Sequence, residues 1–211
     1  MSDAERAFYD DYWSDAQPPP LLDPLTPRRR ELLLRVLQRE GARRVLDVGA
    51  GDGALMLWLA ERGYDVEGLE ISPNAVARAR ALDPTASLVV HGVEDLPWPV
   101  DAGGFDVVTS FEVIEHLLRP RALVQGAATA LRPNGCFVFS TPFHGLLKNV
   151  ALAVGAFDSH YAVEGPHIRF FTDRALKMLL EQCGFDLVET AHLGRVWGLW
   201  ANVVVTARKR P

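Results

Sequence analysis

Short apolar runs alternate with helical patterns along most of this chain, and no other feature restricts the possible folds as strongly. The intervals between the runs carry apolar residues at helical spacing, and proline or glycine marks many of their ends. Strands that alternate with helices form β/α units, which build a mainly parallel sheet. The runs that predict strands are 45–48, 65–70, 87–91, 105–111, 136–141, 185–193 and 201–209.

The same patterns predict the helices. Thr26 and Pro27 suit the N-cap and the first position of a helix that ends near Gly41. Prolines at 18–20, 24 and 27 forbid a continuous helix there. Further predictions are helices over 52–62, 72–82, 120–131 and 172–183, a turn over 133–135, and an irregular segment over 142–171.

The length and composition indicate one ordered domain. A chain of 211 residues fits a single domain with appendages. We expect an N-terminal arm over 1–27 and a domain over 28–211 with a lid-like insert at 142–171. Hydrophobic residues make up 48% and charged residues 23%, which excludes a largely disordered chain. The formal net charge of −5 disfavours nucleic acid as a partner, because phosphate contact requires a basic face.

The cysteines and the apolar stretches predict a location. Cys136 and Cys183 lie far apart and form no CxxC, so we expect no disulfide scaffold and a reduced, cytoplasmic environment. The N-terminus lacks the pattern of a signal peptide. The most apolar stretch, 145–157, is too short to span a bilayer, so no transmembrane segment is expected.

A glycine-rich turn follows the first predicted strand, where Asp47 and Asp52 flank Gly49 and Gly51. Ligands of such sheets bind beyond the carboxyl ends of the strands, and glycines let a ligand approach the backbone. The spacing also satisfies a loose NAD fingerprint, but carboxylates repel a pyrophosphate. They suit a ligand with a positive amine or sulfonium, such as S-adenosylmethionine (SAM). Glu70, after the second strand, can accept the ribose hydroxyls in either case.

Five motifs, taken in order, resemble those of class I SAM-dependent methyltransferases, in particular the ubiquinone-biosynthesis O-methyltransferase-like group. The resemblance implies a Rossmann-like, doubly wound α/β fold with a seven-stranded sheet, mostly parallel with an antiparallel last strand. It also implies methyl transfer from SAM. The match runs over about half of the chain, and its motifs are VLDVGAGDG (45–53), LEIS (69–72), HGVEDLPW (91–98), FDVVTSFEVIEHL (105–117) and LRPNGCFVFSTP (131–142).

The same resemblance assigns a set of cofactor contacts. It places Asp47, Gly49 and Gly51 of the glycine-rich turn against the methionine part of SAM and Glu70 at the ribose. It places Val93 and Glu94 beside the adenine and the backbone near Phe111 at the sulfonium. Many relatives carry Asp where this chain has Gly92, which leaves the contact to the adenine amino group to Glu94 or to backbone amides. The predicted set is Asp47, Gly49, Ala50, Gly51, Glu70, Ile71, Val93, Glu94 and Phe111.

Glu112, Glu115 and His116 follow the fourth strand as E-x-x-E-H. If a helix begins directly after the strand, the three lie on one face and can bind a divalent metal such as Mg²⁺. The resemblance to 2′-O-methyltransferases of small-RNA 3′ ends adds His167 as a fourth ligand, because it precedes an aromatic pair and a threonine. Many small-molecule methyltransferases with this pattern use no metal, and there His116 acts as a base or packs. Both interpretations stay open.

The insert and the arm carry further candidates. His144 and His160, together with His116, are the candidate proton acceptors, because neutral imidazole has a suitable pKa. The apolar half of the insert predicts either a lid over a hydrophobic substrate or a helix in the core or at a dimer contact. Aromatic residues of the arm, Tyr9 and Trp13 among them, could close over the cofactor or pack on the sheet edge.

The sequence therefore predicts an enzyme that transfers a methyl group from SAM to an oxygen of a small hydrophobic acceptor, with a homodimer as a further expectation. Alternatives are an NAD-dependent oxidoreductase, which the acidic loop disfavours, a metal-dependent 2′-O-methyltransferase of RNA ends, and a methyltransferase-like protein that binds SAM without turnover. The basic runs 28–30 and 208–210 are expected to be solvated rather than an RNA track.

Overall fold

A computed structural model describes residues 3–14, 23–155, 168–194 and 200–211 of the protein. A short 3₁₀ turn, Ile114–His116, follows the fourth strand. The strands are β1 (Arg44–Val48), β2 (Asp65–Glu70), β3 (Ser87–Val90), β4 (Phe105–Phe111), β5 (Leu131–Pro142), β6 (Phe185–Leu193) and β7 (Asn202–Lys209). The helices are α1 (Asp3–Tyr12), α2 (Thr26–Arg39), α3 (Ala54–Ala60), α4 (Pro73–Leu82), α5 (Pro120–Ala130), α6 (Leu146–Gly155) and α7 (Asp173–Gln182).

The strands form one seven-stranded sheet in the order β3-β2-β1-β4-β5-β7-β6. The first five strands of the chain pair in parallel, while β7 is antiparallel to both of its neighbours. This confirms the predicted fold class, including the antiparallel last strand. Strands β1, β2, β4 and β5 all end on the same side of the sheet. We call this side, where their carboxyl ends lie, the site edge. Because β7 runs the opposite way, its first residue, Asn202, pairs with Pro142 at that same edge.

The core occupies both faces of the sheet, and this explains why the parallel strands are continuous apolar runs. On one face, Phe137 and Phe139 pack with Phe185 beneath α5 and α7. On the other face, Leu33 and Leu37 of α2 pack against β1, β4 and β5. Strands covered on both faces project rigidly to the site edge, so the residues at their ends are held in fixed positions.

Helix ends account for several differences from the sequence prediction. The helix predicted over 52–62 is shorter, and the N-cap position of α2 is Leu25 rather than Thr26. Instead of a capping hydroxyl, the Asp23 carboxylate accepts the Leu25 amide at 2.8 Å, and the Asp23 carbonyl accepts the Thr26 amide at 2.9 Å. At α7 and α4 the predicted caps are present, since Thr172 and Ser72 accept amide hydrogens of the first turn.

Two segments are more regular than the sequence suggested. The predicted turn at 133–135 lies inside β5 as a bulge, where Asn134 adopts a φ of 61° and the register to β4 shifts. The insert, predicted to be irregular, contains α6, whose exposed residues include Leu146 and Val154.

The arm also contains a helix, α1. The prolines of the arm did not forbid this helix because they follow it in the sequence. Within the described residues, no helix has the length and apolar character that crossing a membrane requires.

Gly126 of α5 is buried against the Trp98 indole, and a Cβ at this position would collide with the ring. We therefore expect Gly126→Ala to lower the free energy of unfolding by about 1–3 kcal/mol, although alanine favours helix, because overpacking outweighs helix propensity. Urea denaturation measures this. Gly155→Ala is the matched control, since a Cβ added there would meet no described atom within 4 Å. Equal stability of the two variants would contradict the packing assignment.

Candidate active site

The loop between β1 and α3 requires glycine at several positions. Gly49, Gly51 and Gly53 all adopt positive φ angles, between 56° and 76°. A Cβ on Gly49 would also collide with Val113, which follows β4. The Gly49 and Ala50 amides donate to the Leu69 carbonyl at 2.8 and 3.1 Å, which fastens the loop to the end of β2.

The Glu70 carboxylate lies buried behind this loop. Its two oxygens accept the Gly51 amide at 2.9 Å and the Ser72 amide at 3.0 Å, so it joins the glycine loop to the N-terminus of α4. Burial raises the pKa of Glu70, while these amides oppose the shift. The glutamate therefore fixes the loop in the absence of any ligand.

Asp47 places a second buried carboxylate at the end of β1. It accepts the Thr109 hydroxyl at 2.6 Å. Burial, together with the charge of Glu70, raises the pKa of Asp47 to about 6 against the opposing effect of the Thr109 hydrogen bond. Two acidic groups beneath one loop make the site attractive to a cation.

A cleft opens at the site edge over these groups. It contains five of the predicted cofactor residues together with Trp13 of the arm, and it brings in Arg29, which the sequence did not indicate. A Cβ on Gly51 would lie 2.9 Å from the Trp13 indole, so that ring covers the glycine loop closely. The predicted residues on the cleft wall are Asp47, Gly49, Ala50, Gly51 and Phe111.

The predicted cofactor residues Glu70, Ile71, Val93 and Glu94 are not among the residues that line this cleft. Ile71 is buried next to Glu70. The Val93 carbonyl accepts the Trp98 indole N–H at 2.9 Å. The Glu94 carboxylate, also buried, accepts the Arg119 backbone amide, which ties the segment after β3 to the start of α5. Their contact with a nucleoside stays a prediction.

Arg29 contradicts the expectation that the basic run at 28–30 is solvated, because its side chain is buried. Its Nη1 donates to the Asp23 carboxylate at 2.7 Å and its Nε to the Asn202 side-chain oxygen at 3.4 Å. Its Nη2 lies 3.1 Å from a Glu112 carboxylate oxygen, without hydrogen-bond geometry. Arg29 differs from Arg28 and Arg30 in its helical spacing, because it lies four residues before Leu33 and so falls on the buried face of α2.

The acidic residues after β4 do not share a helical face, so that expectation was wrong. Glu112 adopts a φ of 55°, and the 3₁₀ turn begins only after Val113. One Glu112 oxygen accepts both the Ser140 hydroxyl at 2.7 Å and the Asn202 amide at 2.8 Å. Together with Arg29, these donors occupy the Glu112 carboxylate.

Glu115 is completely buried beneath the same turn. Its Oε2 accepts the Thr141 hydroxyl at 3.1 Å, and its Oε1 lies 3.9 Å from the His116 ring and has no hydrogen-bond partner among the described residues. Burial raises the pKa of Glu115 well above its ordinary value, and the nearby charge of Glu112 adds to this. A carboxyl in this environment is neutral at pH 7.

The described residues do not fit a divalent metal. Between 23 and 155 and in the other described ranges, no group of three or more His, Cys, Asp or Glu side chains is arranged to hold an ion. Glu112 accepts two hydrogen bonds and lies against the Arg29 guanidinium, and Glu115 is buried. His167, the predicted fourth ligand, lies outside the described residues, as does His160. We derive no step through a metal.

The remaining candidate bases differ in their surroundings. His116 packs edge-on against Tyr9 of α1, with ring centroids 6.1 Å apart. His144 is buried, its Nδ1 lies 3.3 Å from the Asn149 side-chain oxygen, and its ring meets Phe170. His116 belongs to the turn after β4, whereas His144 is held within the base of the insert.

Helix α1 spans the site edge. Asp10 accepts the Ser72 hydroxyl at 3.0 Å and the Asn74 amide at 2.9 Å at the start of α4. Tyr9 packs against His116, and Trp13, whose amide donates to the Tyr9 carbonyl at 3.1 Å, packs against the glycine loop. The arm thus lies over the cleft rather than against the outer edge of the sheet.

Comparison with known proteins agrees with this site. A family model described as a methyltransferase domain matches residues 23–190. The ubiquinone biosynthesis O-methyltransferase of Xanthomonas axonopodis pv. citri (strain 306) is 36% identical over 207 residues, which cover 95% of this chain and 85% of that protein. The protein of the same name from Cronobacter sakazakii (strain ATCC BAA-894) is 42% identical over 118 residues, covering 54% and 48%.

Solved structures share the fold. Magnesium protoporphyrin IX methyltransferase from Synechocystis PCC 6803, with bound S-adenosylhomocysteine (SAH), gives a TM-score of 0.69 at 17% identity and covers 98% of both chains. A SAM-dependent methyltransferase from Mesorhizobium loti gives 0.68 at 21% identity, covering 88% of this chain and 97% of that one.

The sheet order and the acidic glycine loop define a Rossmann-like methyltransferase domain. More particularly, this chain belongs to the SAM-dependent methyltransferases, and its relatives include those named as ubiquinone biosynthesis O-methyltransferases. SAM is therefore the methyl donor.

The buried Glu115 makes stability depend on pH. Its pKa is raised on folding, so above the unfolded value of about 4.3 the unfolded chain releases a proton that the native chain keeps, and stability falls as pH rises. We expect Glu115→Gln to remove part of this decline, by up to about 1.4 kcal/mol per pH unit. Urea denaturation between about pH 5 and pH 8 measures it.

Asp47, whose pKa is also raised, makes stability fall with rising pH in wild type and in Glu115→Gln alike. It therefore does not affect the difference between the pH profiles of these two proteins. Glu61→Gln serves as the control, because this glutamate side chain is 64% exposed. Parallel pH profiles for wild type and Glu115→Gln would contradict the raised pKa.

Proposed function

We propose that this methyltransferase acts on an oxygen of a small hydrophobic acceptor. The observation that carries the proposal is the 36% identity, over 95% of the chain, to a protein named as an O-methyltransferase of ubiquinone biosynthesis. The apolar insert supports a hydrophobic acceptor, since Leu146, Val150 and Val154 of α6 are exposed beside the site edge.

The cleft suits the two ends of SAM. In this proposal Asp47 lies nearest the positive amine and sulfonium, and Glu70 accepts the ribose hydroxyls with the lone pairs that its two amide contacts leave. Arg29 pairs with the methionine carboxylate, because this residue lines the cleft and its buried Nη2 lacks a hydrogen-bond partner among the described residues. Trp13 covers the loop and excludes water.

When bound, SAM supplies an electrophilic methyl group on a sulfonium, so the protein has to position the acceptor oxygen in line and remove its proton. We assign the removal of this proton to His116, which accepts it as the general base. Its turn follows directly from β4, whose end lines the cleft, and it contacts Tyr9 of the arm, in which Trp13 covers the glycine loop. We assign a structural role to His144, because its Nδ1 lies beside Asn149 at the start of the insert.

Removal of the Glu70 carboxylate tests the cofactor site. We expect Glu70→Ala to weaken SAH binding by about tenfold or more, because the ribose loses its acceptor and the Gly51 and Ser72 amides lose theirs. Isothermal titration calorimetry measures the Kd. Glu67→Gln, on the same strand but paired with Arg44, is the matched control. Equal SAH affinity in Glu70→Ala and wild type would contradict the assignment.

Variants of His116 and His144 distinguish the catalytic base from a histidine with a structural role. We expect His116→Ala to lower kcat by about 10²-fold or more and to shift the pH–rate profile, whereas His144→Ala mainly affects stability. The assay uses a panel of hydrophobic phenols and catechols with SAM, and SAH binding reports folding of each variant. Unchanged kcat in His116→Ala would reassign the base. Binding of SAM without methylation of any acceptor would instead favour a non-catalytic SAM-binding protein.

The metal-assisted alternative is tested on the same protein. Titration of Mg²⁺, Mn²⁺ or Zn²⁺ into SAH-saturated protein, beside Glu115→Gln, distinguishes the two mechanisms. Saturable binding that the variant loses would return Glu115 to a ligand role and bring acceptors with adjacent oxygens, including RNA 3′ ends, to the front.

A further inference from the structure

The side chain of Asn202, in the last strand of the sheet, contacts two residues that line the cleft. As the first residue of β7 it lies opposite Pro142 of β5 and Leu193 of β6, at the site edge, and it is only 2% exposed. A buried carboxamide costs free energy unless its donors and acceptor are paired. Its partners therefore indicate its role.

Asn202 connects two charged groups of opposite sign. Its Nδ2 donates to the Glu112 carboxylate at 2.8 Å, and its Oδ1 accepts from Arg29 Nε at 3.4 Å. These neighbours fix the orientation of the amide, because a flipped side chain would present its donors to the guanidinium and its acceptor to the carboxylate.

The contacts of Asn202 restrict the plane of the Arg29 guanidinium. Asp23 holds Nη1 and Asn202 holds Nε, while Glu112 lies 3.1 Å from Nη2 without making a hydrogen bond. A planar guanidinium held at two corners directs its third corner in a fixed direction. Arg29 is one of the residues that line the cleft with the glycine loop, and its Nη2 is buried there without a hydrogen-bond partner among the described residues.

We infer that Asn202 is a positioning residue for SAM, which holds Arg29 so that Nη2 meets the methionine carboxylate. This inference rests on the proposed placement of SAM. Asn202 does not touch the cofactor in this arrangement. It acts through Arg29, and through Glu112 it links that arginine to the residue that follows β4.

A pair of ligands isolates this effect. SAH carries the amino acid end, whereas 5′-methylthioadenosine keeps the adenosine and the thioether but lacks the amine and the carboxylate. We expect Asn202→Ala to weaken SAH binding by about tenfold, as for one hydrogen bond to a charged group, and to leave 5′-methylthioadenosine binding within about twofold. Calorimetry on the full-length protein gives both values.

A general loss of structure at the site edge would weaken both ligands equally, and that result, like unchanged SAH binding, would overturn the inference. Thr206→Val is the control for an equally buried substitution in β7 and should change neither affinity. If Asn202→Ala does not yield folded protein, Asn202→Ser is measured in the same way.

Arg29→Ala separates this inference from the function on which it rests. If Arg29→Ala weakens SAH and 5′-methylthioadenosine equally, the carboxylate assignment itself fails. If Arg29→Ala selectively weakens SAH and Asn202→Ala does not, only the role of Asn202 fails. In the double variant, we expect no loss of SAH affinity beyond that of Arg29→Ala, because Asn202 acts through that side chain.

Discussion

The site depends on the two hydrogen bonds that the buried Glu70 carboxylate accepts from Gly51 and Ser72. They join the turn after β1 to the turn after β2 and so fix the distance between two segments that follow different strands. A buried carboxylate costs free energy, and the amides offset that cost only while both turns keep their positions. The remaining groups of the cleft are arranged around this fixed point.

Charge is distributed unevenly within the site. Asp47 and Glu70 form an acidic floor under the glycine loop, while Arg29, held between Asp23 and Glu112, supplies a guanidinium at the wall. A ligand with separate positive and negative ends matches such a division. A dinucleotide, whose pyrophosphate would lie at the loop, does not, and this agrees with membership of the SAM-dependent methyltransferases.

The sequence predicted the fold and the glycine loop well because both depend on local patterns. Apolar runs identify β4 and β6 to the residue, and positive φ angles require the loop glycines. It did not predict the helix in the arm, the 3₁₀ turn after β4, or the burial of Arg29. These depend on partners distant in the chain, such as Asn202, which is 173 positions from Arg29. One-dimensional periodicity does not contain such pairings.

The position of β7 also has a consequence during biosynthesis. This strand fits between β5 and β6 and carries Asn202 to the site edge, yet it is the last of the seven strands of this sheet to be synthesised. Until then β5 has an unpaired edge, and Arg29 and Glu112 lack their shared amide. The nascent chain can thus assemble the glycine loop early, but the cleft is completed only after synthesis of the C-terminal strand. Cofactor binding therefore reports that the whole domain has folded.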